Sequence, residues 1–212
     1  MADRSAELTL AYQERLSELS RMAELLSGLV ANSLEGMDHR HVDRITFRVK
    51  ASGSFVAKAL ADPPYAQPLE EIEDQIGGRV IVFYTHDVEL VRDALLELFT
   101  RVEQAFRRPA SDDAFGYESH HMICVIPDHL KTEDWRVVSH MPNTFELQIR
   151  TLFMHAYAEP QHDLSYKTVS DLGPTQRREV AWIAASSWGA DQALERLWRS
   201  MPSGETPEKL DD

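Results

Sequence analysis

Four apolar runs of strand length punctuate this chain: RITFRVK from Arg44, RVIVFY from Arg79, HMICVIP from His121 and TFELQIR from Thr144. Stretches of helical spacing lie before, between and after them. A strand must bury at least one face, so such an alternation requires helices layered on a shared sheet. The pattern predicts a single mixed α/β (α+β) domain with a sheet of four or five strands. Two of the runs are two-faced. Ile45, Phe47 and Val49 oppose Arg44, Thr46, Arg48 and Lys50, and Phe145, Leu147 and Ile149 oppose Glu146, Gln148 and Arg150. One side of each can pack, which leaves a charged side with no packing role.

Around these strands, Leu8, Tyr12, Leu16, Leu19, Met22, Leu26 and Leu29 fall at helical intervals up to EGMD and predict one long amphipathic helix. SGSFVAKAL reads as a short helix with serines at its amino end, and Asp87 as the cap of a helix carrying Val91, Ala94, Leu95 and Leu98. A further helix should run from about Leu152 toward Tyr166, interrupted at Pro160, which lacks a backbone donor and crowds the preceding turn. Pro174 opens a last helix that carries Trp182, Trp188 and Trp198. The expected divisions are a helical extension over 1–36, one domain over 37–200 and a disordered tail over 201–212. The long first helix and the Trp-bearing last helix are candidates either to cover the sheet or to form a homo-oligomer interface.

With 212 residues, 43% hydrophobic and 27% charged, the chain suffices for one well-buried core. No apolar stretch reaches membrane-spanning length, and MADRSAELT lacks the basic-then-apolar order of a signal peptide, so a cytoplasmic location without a membrane partner is expected. Cys124 is alone in the apolar run MICVI, which excludes an intramolecular disulfide and favours plain packing. A net charge of -13 argues against indiscriminate nucleic-acid binding. Against that background Arg40, Arg44, Arg48, Lys50 and Lys58, opposed only by Asp43, form a basic island. Charge alone does not separate such an island from an ordinary solvated face.

Two acids stand out. Asp74 directly precedes QIGGRVIVFY, and Glu146 lies on the polar side of the fourth run. If their strands are neighbours the carboxylates converge, and Mg²⁺ commonly bridges such groups to substrate phosphates. Each acid taken singly is more simply a solvated strand-end charge. Arg48 and Arg79 could face the same cleft, where a guanidinium plane stacks on a base, and Lys50 and Lys58 supply compact charge for phosphates. Gly116 and Tyr117 put a hinge beside an aromatic at a strand entrance, as a turn or as a stacking platform. His120 and His121 point to opposite faces, and His155 and His162 lack an evident third ligand, so nothing here favours zinc.

In order, RVKASGSFVAK, DQIGGR, GYESHH, ELQIRT and HAYAEPQHDLSYK resemble the RelA/SpoT-type alarmone synthetase domain over about residues 40 to 170. The resemblance implies a nucleotidyltransferase-like mixed sheet of about five strands flanked by helices. It further implies transfer of the β,γ-pyrophosphate of ATP to a ribose 3′-hydroxyl with Mg²⁺ as cofactor. By this likeness Arg48 and Arg79 sandwich adenine, and Lys50, Ser54 and Lys58 bind phosphates. Asp74 and Glu146 are the catalytic, metal-binding acids. Tyr117 stacks on the acceptor base beside His121, and Gln148, Arg150, His162, Tyr166 and Lys167 complete the acceptor side.

The departures bear on the acceptor. Many relatives carry Lys and Asn shortly before the Gly-Tyr, whereas SDDAFGYES brings Asp112, Asp113 and Glu118, which repel nucleotide phosphates unless Arg107 and Arg108 compensate. HAYAEPQHDLSYK is similar to the wording of toxic small synthetases, some of which pyrophosphorylate the 3′ CCA end of tRNA. Tyr157 stands where the family usually has Trp. The leading expectation is therefore synthesis of guanosine alarmones from ATP and GDP or GTP. The alternatives are a tRNA-modifying toxin paired with an antitoxin protein, and a non-catalytic nucleotide-binding module.

Overall fold

The computed structural model describes residues 2–36, 41–107, 109, 114–116, 118–165 and 173–201, with backbone alone at 2 and 161–165. In chain order the helices are α1 (Ala2–Gln13), α2 (Leu16–Leu34), α3 (Ser52–Ala59), α4 (Pro68–Glu71), α5 (Thr85–Leu98), α6 (Glu133–Val137), α7 (Leu152–Ser165) and α8 (Pro174–Ser200). The strands are β1 (Val42–Val49), β2 (Ile76–Val82), β3 (Arg101–Arg107), β4 (Ser119–Val125) and β5 (Thr144–Thr151). They form one sheet in the order β1-β2-β5-β4-β3. Only β2 and β5 pair in parallel, and the other three pairings are antiparallel.

Alternation decides which face is core. Phe145, Leu147 and Ile149 of β5, Met122 and Cys124 of β4 and Val80 of β2 are buried together with Leu19, Met22, Leu26 and Val30 of α2 and Val91 and Leu95 of α5. Both helices bury residues three or four apart, the stripe that a sheet-facing helix needs. Cys124 belongs to this packing, and burial pushes its thiol up to about 12, which keeps it in the inert protonated form. Gly78 is required by the same layer. A Cβ there would lie 2.5 Å from the Phe47 ring and 2.7 Å from Leu147 Cδ1.

Two expectations need correction. The amino-terminal helix is two helices, broken at Glu14 and Arg15. There the guanidinium of Arg15 turns back to donate to Ala11 O and to Ser139 O. The break lets α1 lay Tyr12 against Phe55 of α3, with rings stacked at 4.0 Å and the Tyr12 hydroxyl donating to Lys50 O at 2.9 Å. Pro160 does not interrupt α7, which continues to Ser165. Proline removes only one donor, and ahead of it Met154 and Tyr157 pack against Ala184 of α8. Asp87 does cap α5 as expected: as its third residue, it accepts the N–H of Tyr84, the residue before the helix, at 3.3 Å. Of the tail expected over 201–212, Met201 is described and exposed, and 202–212 lie outside the described residues. Among the described residues, no helix is long and apolar enough to cross a membrane.

Candidate active site

The polar face of the sheet is organised by strand register. Arg48 of β1 opposes Gly77 of β2, which opposes Glu146 of β5, which opposes Ile123 of β4. The next row on the same face runs Thr46, Arg79, Gln148 and His121. Side chains two apart share a face, so these rows lie side by side as a floor. No atom stands within 4 Å of a Cβ built on Gly77, so its missing side chain leaves the space between Arg48 and Glu146 open.

Asp74 reaches this floor from the 3-10 turn Glu73–Gln75 that leads into β2. Gln75 O accepts the N–H of Lys50 at 2.9 Å, which ties the end of β1 to that turn. Lys50 Nζ donates to Asp74 Oδ2 at 2.7 Å, and Lys58 Nζ, from the last turn of α3, donates to Oδ1 at 3.0 Å. Burial raises the pKa of the Asp74 carboxyl, but the hydrogen bonds and charges of the two lysines outweigh it and hold the group below its usual range. Glu146 follows the same logic. Burial pushes it up, His121 and Gln148 pull it down, and the neighbouring Asp74 charge pushes it up again, with a net lowering. His121 Nδ1 lies 2.9 Å from Glu146 Oε1, and Gln148 Nε2 donates to Oε2 at 2.9 Å.

Two hollows meet at these acids. One is lined by Arg48, Lys50, Gly77, Arg79 and Gln148, and the other by Lys58, Glu103, Arg107, His121 and Ile123. Asp74 and Glu146 line both. The shared donors are carboxylate oxygens favoured in their ionised form, a hard set that fits Mg²⁺ bridging phosphate groups.

The remaining residues named from the sequence are distributed unequally. Arg79 Nη1 donates to Glu159 Oε1 at 2.6 Å, and Arg150 Nη2 donates to the same oxygen at 3.2 Å, with His155 Nδ1 3.7 Å from it. Arg150 is buried and lines neither hollow. Ser54 is half-buried in the first turn of α3 and lines neither one either. His120 is on the opposite face, against Glu89 of α5 at 3.1 Å, as alternation requires. Tyr117, Tyr166, Lys167, Arg40, Arg108, Asp112 and Asp113, and the side chain of His162, lie outside the described residues. Glu159 went unnoticed in the sequence because its role as an anchor for Arg79 and Arg150 arises only when α7 packs beside β2 and β5. Glu103 and Arg107 sit on β3, the one strand without an apolar run.

The family model described as "Region found in RelA / SpoT proteins" matches residues 47–171. GTP pyrophosphokinase YjbM of Bacillus subtilis (strain 168) is 30% identical over 132 residues, which span 61% of this chain and 59% of that relative. Small alarmone synthetase 1 from Bacillus subtilis superposes with a TM-score of 0.67 at 22% identity, covering 93% of this chain and 97% of that one. It has also been solved bound to its product pppGpp and bound to AMPCPP. Small alarmone synthetase 2 from the same organism gives a TM-score of 0.72 at 22% identity, covering 90% of this chain and 99% of that one. At such identities the structural likeness speaks for the fold: the five-stranded mixed sheet flanked by helices is common to all three.

Proposed function

The chain belongs to the family that shares the RelA/SpoT region, and from that premise we propose that it is an ATP-dependent pyrophosphotransferase acting on the 3′-hydroxyl of GDP or GTP. One observation carries the assignment: two acids held in their ionised form stand between two hollows, each with its own cations. The hollow of Arg48, Lys50 and Arg79 suits ATP, the guanidinium planes taking the base and Lys50 the phosphates. Acceptor and phosphates then meet at Lys58, His121 and Arg107.

In this arrangement Asp74 and Glu146 would hold Mg²⁺, which when bound neutralises phosphate charge and polarises the transferred group. Incoming phosphates compete with Asp74 for Lys50 and Lys58, so both lysines turn from neutralising an acid to binding substrate. Attack by the 3′-oxygen forms a bond to the β-phosphorus, breaks the bond between that phosphorus and the α,β-bridging oxygen, and releases AMP. Glu146, oriented by His121 and Gln148, receives the hydroxyl proton. Positioning carries the rest, because both substrates lie against one rigid floor.

The second hollow sets Glu73 and Glu103 among its cations. Such mixed charge suits a compact nucleotide better than an extended RNA backbone, which needs accumulated positive charge. The test is incubation with γ-labelled ATP and Mg²⁺, offering GDP, GTP and deacylated tRNA separately, with Glu146→Gln as control. Label in a guanine nucleotide is expected. Label on tRNA alone would reassign the acceptor, and absence of transfer to any of them would leave a nucleotide-binding module.

A further inference from the structure

At the other end of β1 from Lys50, roughly 30 Å away along an extended strand, lies a second cluster of polar side chains that the transfer chemistry does not use. His41 precedes β1, and His86 and Asp87 occupy the first turn of α5. Each offers one ligand atom, and these atoms lie within 4.8 Å of one another. His41 Nδ1 is 2.5 Å from Asp87 Oδ1, and His86 Nε2 is 3.1 Å from the same oxygen. Tetrahedral ligands at usual zinc distances stand about 3.3 Å apart, so the three atoms need only small shifts to surround one ion.

His86 Nδ1 is 2.8 Å from Glu195 Oε2, an oxygen that also accepts from Thr85 Oγ1 at 2.9 Å. A neutral imidazole carries one N–H. If Nδ1–H donates to Glu195, Nε2 turns a lone pair toward the Asp87 oxygen, and two electron-rich atoms at 3.1 Å need a cation between them. A proton meets that need, and so does a metal ion. The carboxylate–imidazole–metal series is a recurring device for fixing the tautomer and raising the basicity of a ligating histidine. Asp87 is fully buried, and Trp198 packs its ring 5.5 Å from that of His41 and 5.8 Å from that of His86, which limits access of water.

We propose that His41, His86 and Asp87 form a binding site for a divalent transition-metal ion of the zinc type, with Glu195 of α8 orienting His86. Two imidazoles and one carboxylate are a donor set that suits Zn²⁺ and disfavours Mg²⁺, which prefers oxygen ligands and retained water. The three protein ligands leave a fourth position for water. The site joins the start of β1 to the start of α5, and through Glu195 to α8. Its role is that of a staple, independent of the acceptor and of the transfer reaction.

The experiment is calorimetric titration of the chelator-treated full chain with Zn²⁺ at pH 7.5, paired with thermal melts. One equivalent should bind and raise the melting temperature, and Mg²⁺ should not displace it. His41→Gln and His86→Gln should each weaken binding by at least about tenfold, and Glu195→Gln by about 10- to 100-fold, while far-UV circular dichroism is unchanged. Glu146→Gln should bind Zn²⁺ as the parent does. The chain has nine histidines, so equal binding by the parent and the His86→Gln variant would assign the ion to other side chains and overturn the proposal. A silent titration would do the same, leaving the cluster a protein-only ion-pair network.

Discussion

Asp74 and Glu146 are both desolvated, yet both are held on the ionised side, one by two lysines and the other by a histidine and an amide. Removing the charge of Glu146 while keeping its shape separates binding from chemistry. Glu146→Gln should lower kcat by about 10²- to 10⁴-fold, the usual weight of a positioned general base, with ATP affinity in equilibrium dialysis without Mg²⁺ within a few fold of the parent. A third acid, Asp191, behaves oppositely. Burial pushes the Asp191 carboxyl up to about 6, the Thr151 hydroxyl pulls it down through a 2.7 Å bond, and Glu118 adds to the rise. Because the folded state binds this proton more tightly than the unfolded one, its stabilising contribution is complete below the ordinary aspartate value. It is lost as pH rises through about 6. The loss amounts to at most about 3 kcal/mol at 1.36 kcal/mol per unit. Asp191→Asn should remove that step from denaturation free energies measured between pH 4 and 7, and an unchanged slope would contradict the assignment.

At the scale of elements, the adjacent glycines of β2 do different work on the two faces of one strand. Gly78→Ala drives a methyl group into Phe47 and Leu147, and should cost about 1–3 kcal/mol in urea denaturation, as overpacking does. Gly77→Val points into open space above the floor. It should fold, and should raise the KM for ATP by obstructing the hollow between Arg48 and Glu146. These differences were only partly legible in the sequence. The four apolar runs marked four strands to within three residues at either end, because burial on one face leaves a period-2 signature. β3, an edge strand with an exposed and half-buried pattern, left none. The break at Arg15 was hidden because Leu16 and Leu19 continue the helical spacing across it. Pro160 misled for the converse reason, since a local rule yielded to the packing of α7 on α8. Within the candidate site, Asp74, Glu146, Lys50, Lys58, Arg48, Arg79 and His121 could be gathered from motif and strand alternation. The gathering of Arg79 and Arg150 by Glu159 and the cluster of His41 with His86 depend on contacts between elements distant in sequence.

For the molecule as a whole, the proposed function divides labour across two acids, with the donor nucleotide in one hollow and the acceptor in the other. The most direct test is steady-state kinetics of two substitutions on opposite sides, with both substrates varied. Arg48→Ala should raise the KM for ATP about tenfold or more while leaving that for the guanine nucleotide within about twofold, and Arg107→Ala should do the reverse, since each loses a charged contact worth about 1.5–3 kcal/mol to one substrate only. If both variants shifted both KM values together, or if Arg107→Ala impaired ATP alone, the two hollows would not be separate donor and acceptor sites.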